Sequence, residues 1–117
     1  MFENFSADSR RAVVIAQEEA RGLRQEHIEV THLVLGVTYV GPGVLSAYGI
    51  TPRHARMVAA RATPRLEQQR IGHIQFSTGT REAIRVASFI ADATGCPTVE
   101  PEHLLAGILS IGALERV

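Results

Sequence analysis

The sequence predicts an all-α fold in which two tandem helical repeats, related by a pseudo-twofold, pack as one domain over residues 1–117. Two observations carry this. The stretch FSADSRRAVVIAQEEA beginning at Phe5 aligns without a gap to FSTGTREAIRVASFIA beginning at Phe76, and the register holds from IEVTHLVLGV to VEPEHLLAGI. Identical pairs include Phe5/Phe76, Ser6/Ser77, Arg10/Arg81, Glu29/Glu100, His32/His103 and Gly36/Gly107. Self-similarity at one fixed offset is the mark of a duplicated structural unit. In addition, apolar residues recur at three- and four-residue spacing along the chain, and no alternating strand pattern of comparable strength appears.

The first helix is expected at roughly 6–24, with Phe5, Val13, Ala16, Ala20 and Leu23 on its apolar stripe and Arg10, Arg11, Gln17, Glu18 and Arg21 mostly between them. Ser6 stands at the N-cap position, and Asp8 falls in the first turn, where the helix dipole favours a carboxylate. A more apolar helix follows over about 30–40, where Leu33, Val34, Leu35, Val37 and Val40 make it the central element of its repeat. VGPGVLSAYG permits only a short helix closed by Gly49. Thr51 and Pro52 then supply an N-cap and first-turn proline for an arginine-rich helix ending between 62 and 69. QQRIGHIQ lacks helical periodicity and is read as the hinge, dividing repeat one (1–70) from repeat two (71–117). The cycle restarts at Ser77, breaks at Gly95 and Pro97, and resumes at Pro101. The second repeat is expected to be truncated at its C-terminus.

Composition narrows the function classes. Formal charge is zero and the apolar fraction is 45%, so nothing drives the whole chain onto nucleic acid or an anionic membrane. No apolar run approaches the ~20 residues of a membrane span, and MFENFSADSR has no hydrophobic signal segment, so a cytoplasmic location is expected. All twelve basic residues are arginine. Arg53, His54, Arg56, Arg61, Arg65 and Arg70 form the one basic concentration; with little aromatic interleaving it reads as a solvated face and not as a nucleic-acid site. Cys96 is the single cysteine, which excludes an internal disulfide and suits a small buried or half-buried residue. His32 and His103 lack the spacing of a metal or acid/base pair. No G-x-x-x-x-G-K-[ST] loop is present to cradle nucleotide phosphates. Neither catalysis, metal nor cofactor is expected.

MFENFSADSRRAVVIAQEEARGL, the counterparts of a family's I-G-T-E-H-[IL]-L-L-G-[LI] at Ile28–Val37 and Val99–Ile108, and the linker residues Gly72, His73, Ile74 and Phe76 together carry a resemblance. The chain resembles the N-terminal domain of ClpC-type Clp unfoldases, actinobacterial ones in particular. It departs from the family in a shortened third helix, in an early end to the second repeat, and in Val30 and Thr31 where the family has Thr and Glu.

The resemblance implies a non-catalytic module of a Clp protease system that docks substrates or adaptor proteins for an ATP-driven unfolding ring. The alternative is a stand-alone paralogue acting as adaptor, competitor or sink for peptide ligands and macrocyclic antibiotics, which the departures favour. Similar domains recognise phosphorylated arginine at one site per repeat. Ser77 and Glu102 match that site in the second repeat, a hydroxyl at a helix start for the phosphate and a carboxylate for the guanidinium. In the first repeat Ser6 remains but Thr31 replaces the carboxylate, with Glu29 two residues before it. Ser6 and Ser77 are equally well explained as N-caps. The resemblance also implies a groove for cyclic peptide antibiotics, with Met1, Phe2, Val13, Phe76 and Arg81 at the matching positions. The competing role for the phenylalanines is a core staple ahead of each helix. A monomer is expected, with a dimer through the truncated end as the alternative.

Overall fold

The structure, a computed structural model, describes residues 2–62, 64–69 and 71–112. These residues form six helices: α1 (Ala7–Gly22), α2 (Val30–Val40), α3 (Pro42–Ser46), α4 (Pro52–Ala62), α5 (Thr78–Ala93) and α6 (Pro101–Ser110). The expected all-α class is the one observed, and β-structure among the described residues is confined to two isolated bridges.

Helix starts follow local chemistry. Ser6 and Ser77 are extended N-cap residues whose hydroxyls accept the N–H of Ser9 and Thr80. The Thr51 hydroxyl accepts from the His54 N–H at the start of α4. α1 and α5 end in matching left-handed residues, Arg24 at φ 56° and Gly95 at φ 75°. Glycine adopts this conformation freely; an arginine does not. Arg24 is held there from both ends: its carbonyl accepts the Leu66 N–H at 2.7 Å and its guanidinium donates to the Glu67 carbonyl.

Within each repeat the two main helices cross at a glycine. A Cβ on Gly36 would lie 2.1 Å from the Ala12 carbonyl oxygen, and one on Gly107 would lie 2.2 Å from that of Ala83. Backbone-to-backbone contact of this kind requires small residues on the opposing helix. The buried stripe of α1 is accordingly Ser9, Ala12, Ala16 and Ala20, while Val13 and Leu23, expected on it from periodicity, are half-buried. α2 is buried continuously from His32 to Thr38 because α1 covers one side and α4 the other.

The repeats are joined through their helix starts. Phe5 pairs in parallel with Val99, and Ile28 with Phe76. The first pairing uses Ser6 N–H to the Val99 carbonyl (3.1 Å) and Val99 N–H to that of Asn4 (2.8 Å); the second uses Ser77 N–H to Ile28 (3.1 Å) and Ile28 N–H to Gln75 (2.9 Å). Each repeat contributes two strand-like residues, one to each bridge, which is the pseudo-twofold in its most local form. The main apolar core runs from Phe5, Leu33 and Leu35 to Ile84, Leu104 and Ile108, so both repeats share it. The segment read as a hinge is instead stitched down: Ile74 is buried, Arg21 donates to the Gly72 carbonyl at 2.8 Å, and Gln75 belongs to the bridge.

The symmetry stops at α4. Ala55 and Ala59 bury against the α2 side, and Arg56 reaches both the Glu19 carboxylate and the Tyr39 hydroxyl at 2.7 Å. Among the described residues nothing covers α6 in the corresponding way.

Candidate functional site

The crossed pairing determines which predicted residues meet. Ser6 abuts Val99, at the start of the helix that carries Glu102, and Ser77 abuts Ile28, at the start of the helix that carries Thr31. Each serine therefore stands at a helix start of the other repeat, whereas the sequence suggested pairing Ser77 with Glu102 and Ser6 with Thr31.

The two junctions are not chemically equivalent. Thr80 donates its hydroxyl to the Ile28 carbonyl at 2.8 Å, and the Ser77 hydroxyl lies 2.8 Å from the Thr80 oxygen. Because the Thr80 proton is spent on Ile28, Ser77 donates to Thr80 while accepting the Thr80 N–H, so its single proton is committed within the fold. At the matching place in α1, Ser9 is fully buried and its hydroxyl has no hydrogen-bond partner among the described residues. The Thr31 hydroxyl oxygen is likewise buried and unpartnered. Glu102 is exposed in the first turn of α6.

Glu29 and Glu100 are the N-cap residues of α2 and α6, and each N–H donates to the Nδ1 of the histidine three residues on, at 2.8 Å. The sequence contained the signal: Glu-x-x-His occurs at both positions, a capping box with histidine in the place usually taken by Glu or Gln. His32 is fully buried, and with Nδ1 accepting, its Nε2–H donates to the Gln25 side-chain oxygen. Gln25 in turn donates to the Ala59 carbonyl at 2.8 Å, tying α4 to the core. Burial pushes the His32 pKa down from 6.5 to about 4, with the charge of Glu19 pulling weakly the other way. Among the described residues no group of three or more His, Cys, Asp or Glu side chains is arranged to hold a metal ion.

Of the expected groove residues, Met1 lies outside the described residues. Phe2 is half-buried, edge-on to Phe5 with ring centroids 5.0 Å apart and tilted against Phe76 at 5.7 Å. The rings are thus partly core and partly surface, joining the first residues of both repeats. Val13 is half-buried against the core. Arg81 is exposed and, with Thr78, Ile84 and Ser88, lines an open depression of about 460 Å³ along the outer side of α5. In the basic concentration, Arg56 is paired while Arg53, Arg61 and Arg65 face solvent; Arg70 lies outside the described residues.

Comparison with known proteins agrees with this architecture. The chain is 29% identical over 118 residues to the chloroplastic chaperone protein ClpD2 of Oryza sativa, covering 95% of this chain, and 28% identical over 116 residues to chloroplastic ClpC of Pisum sativum, covering 96%. It spans 13% of the length of each. The crystal structure of the N-terminal domain of ClpD from Arabidopsis thaliana superposes with a TM-score of 0.80 at 23% identity, covering 99% of this chain and 83% of that one. The Hsp104 N-terminal domain from Candida albicans superposes with a TM-score of 0.80 at 15% identity, covering 97% and 78%. Residues 4–116 match the Clp repeat (R) N-terminal domain, and the chain belongs to that family.

Proposed function

We propose that this domain is a non-catalytic docking module that receives protein substrates or adaptors for an ATP-driven Clp unfoldase. The observation that supports it most directly is the surface at the start of α5. There the half-buried rings of Phe2 and Phe76 meet just ahead of the helix, and on its first turns Thr78 and Arg81 begin an open depression that Glu82, Ile84, Arg85 and Ser88 also line. Such a surface suits a peptide segment better than a small polar metabolite. The same surface would take a macrocyclic peptide, a role that a stand-alone paralogue would also fill.

The finer proposal is that the helix-start junctions read phosphorylated arginine, with Glu102 holding the guanidinium. The crossed geometry makes Ser6 a candidate for the phosphate beside Ser77, and the stronger one, because the Ser77 proton is committed to Thr80. Calorimetric titration with phosphoarginine and with a cyclomarin-type macrocycle, on wild type and on Glu102→Ala, Ser6→Ala and Ser77→Ala, separates these readings. Loss in Glu102→Ala together with Ser6→Ala identifies a site composed across the repeats; loss with Ser77→Ala identifies one within the second repeat. Ser6→Ala and Ser77→Ala each also cost about 1 kcal/mol of stability through the lost cap, so melting is recorded alongside. Absence of phosphoarginine binding in wild type, with macrocycle binding retained, rejects mark-reading and leaves peptide capture.

A further inference from the structure

The two repeats differ most in character at one matched pair of positions on their long helices. Where α1 carries Glu18 and Glu19, α5 carries Phe89 and Ile90. Phe89 is 68% exposed, and Ile90 is half-buried beside half-buried Val86. On α6, Leu109 is 40% exposed at the position where α2 has the buried Thr38. At Phe89 the fold does not require an apolar side chain, since the first repeat builds the same helix with an exposed Glu18 there; at Ile90 the counterpart Glu19 is held by Arg56 of α4. An apolar stripe that the fold does not need, on a helix facing solvent, marks an interface.

The residues flanking Phe89 specify what fits. Arg85 lies four residues before it and Asp92 three after, so all three share one helical face. Two copies of α5 packed antiparallel about a twofold at Phe89 set ring on ring, and bring Arg85 of each copy to Asp92 of the other. Such a surface is its own complement, as an isologous dimer requires. Arg85 is exposed and paired with Glu82 at 2.7 Å, an arrangement with room for a second carboxylate. Zero net charge leaves no overall repulsion between copies. Exchange of α4 between copies does not fit the same face, because Arg56 of α4 relies on Glu19 and the matching residue in the second repeat is Ile90.

We propose that the chain self-associates as a twofold dimer through the outer face of α5, with Phe89, Ile90 and Leu109 at its centre and reciprocal Arg85–Asp92 pairs at its rim. The face is that of little more than one helix, so the dimer is a weak one, populated at high concentration. Sedimentation equilibrium from micromolar to near-millimolar chain tests it. Phe89→Glu installs the residue the first repeat carries at the matching exposed position, so the melting curve is retained while the dimer dissociation constant rises at least about tenfold. Arg85→Asp and Asp92→Arg each weaken association, and together in one chain they restore it. A chain that stays monomeric over the whole range, leaving the α5 face to a different polypeptide, overturns the proposal. A dimer unaffected by Phe89→Glu also overturns it.

Discussion

His32 is neutral in the fold because both ring nitrogens are committed, Nδ1 accepting from the Glu29 N–H and Nε2–H donating to Gln25. Protonation would set a second N–H against that of Glu29 and place a charge in the core. The folded pKa lies at about 4 against 6.5 for the free side chain, so between these values the unfolded chain binds the proton and the native chain does not. Stability is therefore fully present above pH 6.5 and is lost as pH falls toward 4, by up to about 3 kcal/mol from this one group. Urea unfolding from pH 7.5 to pH 4 checks it against His32→Gln, whose amide can take over the capping-box acceptor. The wild type should be the more stable at pH 7.5, with the difference shrinking toward pH 4; parallel curves would show that His32 does not carry the slope. The remaining titratable groups are common to both proteins and cancel in the comparison.

At the scale of the helix, the crossings at Gly36 and Gly107 set how closely α1 approaches α2 and α5 approaches α6. A methyl group at either position collides with a backbone carbonyl on the facing helix and cannot be relieved by a rotamer change. Gly36→Ala and Gly107→Ala should each cost more than about 2 kcal/mol. Gly22→Ala, with nothing within 4 Å of its Cβ, should be neutral or stabilising by up to about 1 kcal/mol. Denaturant midpoints of the three variants decide it, and a tolerated Gly36→Ala would mean that the helices can part. Much of this level was legible in the sequence. Repeated Ser caps, Thr51-Pro52 and Pro101 marked the starts of α1, α5, α4 and α6 to within a residue, because cap chemistry is local. The glycine crossings explain why periodicity misjudged α1: Val13 and Leu23 outrank Ser9 in hydropathy, yet only small residues fit under a backbone crossing. The candidate site was less legible. Its residues were named from one repeat at a time, whereas the Phe5–Val99 and Ile28–Phe76 pairings assemble each helix-start junction from both. Such non-local pairing leaves no trace in residue spacing. The commitment of the Ser77 hydroxyl to Thr80 was equally invisible, since it depends on the Ile28 carbonyl far away in sequence.

For the whole molecule, crossed pairing predicts that neither repeat is a folding unit. Repeat one alone would leave the Ile28 N–H and carbonyl without Gln75 and Ser77, strip Val99 from Phe5, and expose the side of α2 that packs on α6. A chain of 70 residues buries too little surface to absorb such losses comfortably. The second repeat is worse placed, because no helix among its described residues does for α6 what α4 does for α2. Peptides 1–70 and 71–117 should therefore each lack a cooperative thermal transition when studied by circular dichroism. Mixed in equal amounts, they should regain helicity and a single transition whose midpoint rises with concentration, as expected when folding and association are one event. A cooperative transition in peptide 1–70 alone would show that the stitches between repeats only align two independently stable units. The ligand surfaces would then be separable as well. If the repeats fold only together, a ligand that bridges the Phe2–Phe76 contact stabilises the entire chain, and its binding raises the single transition as a whole.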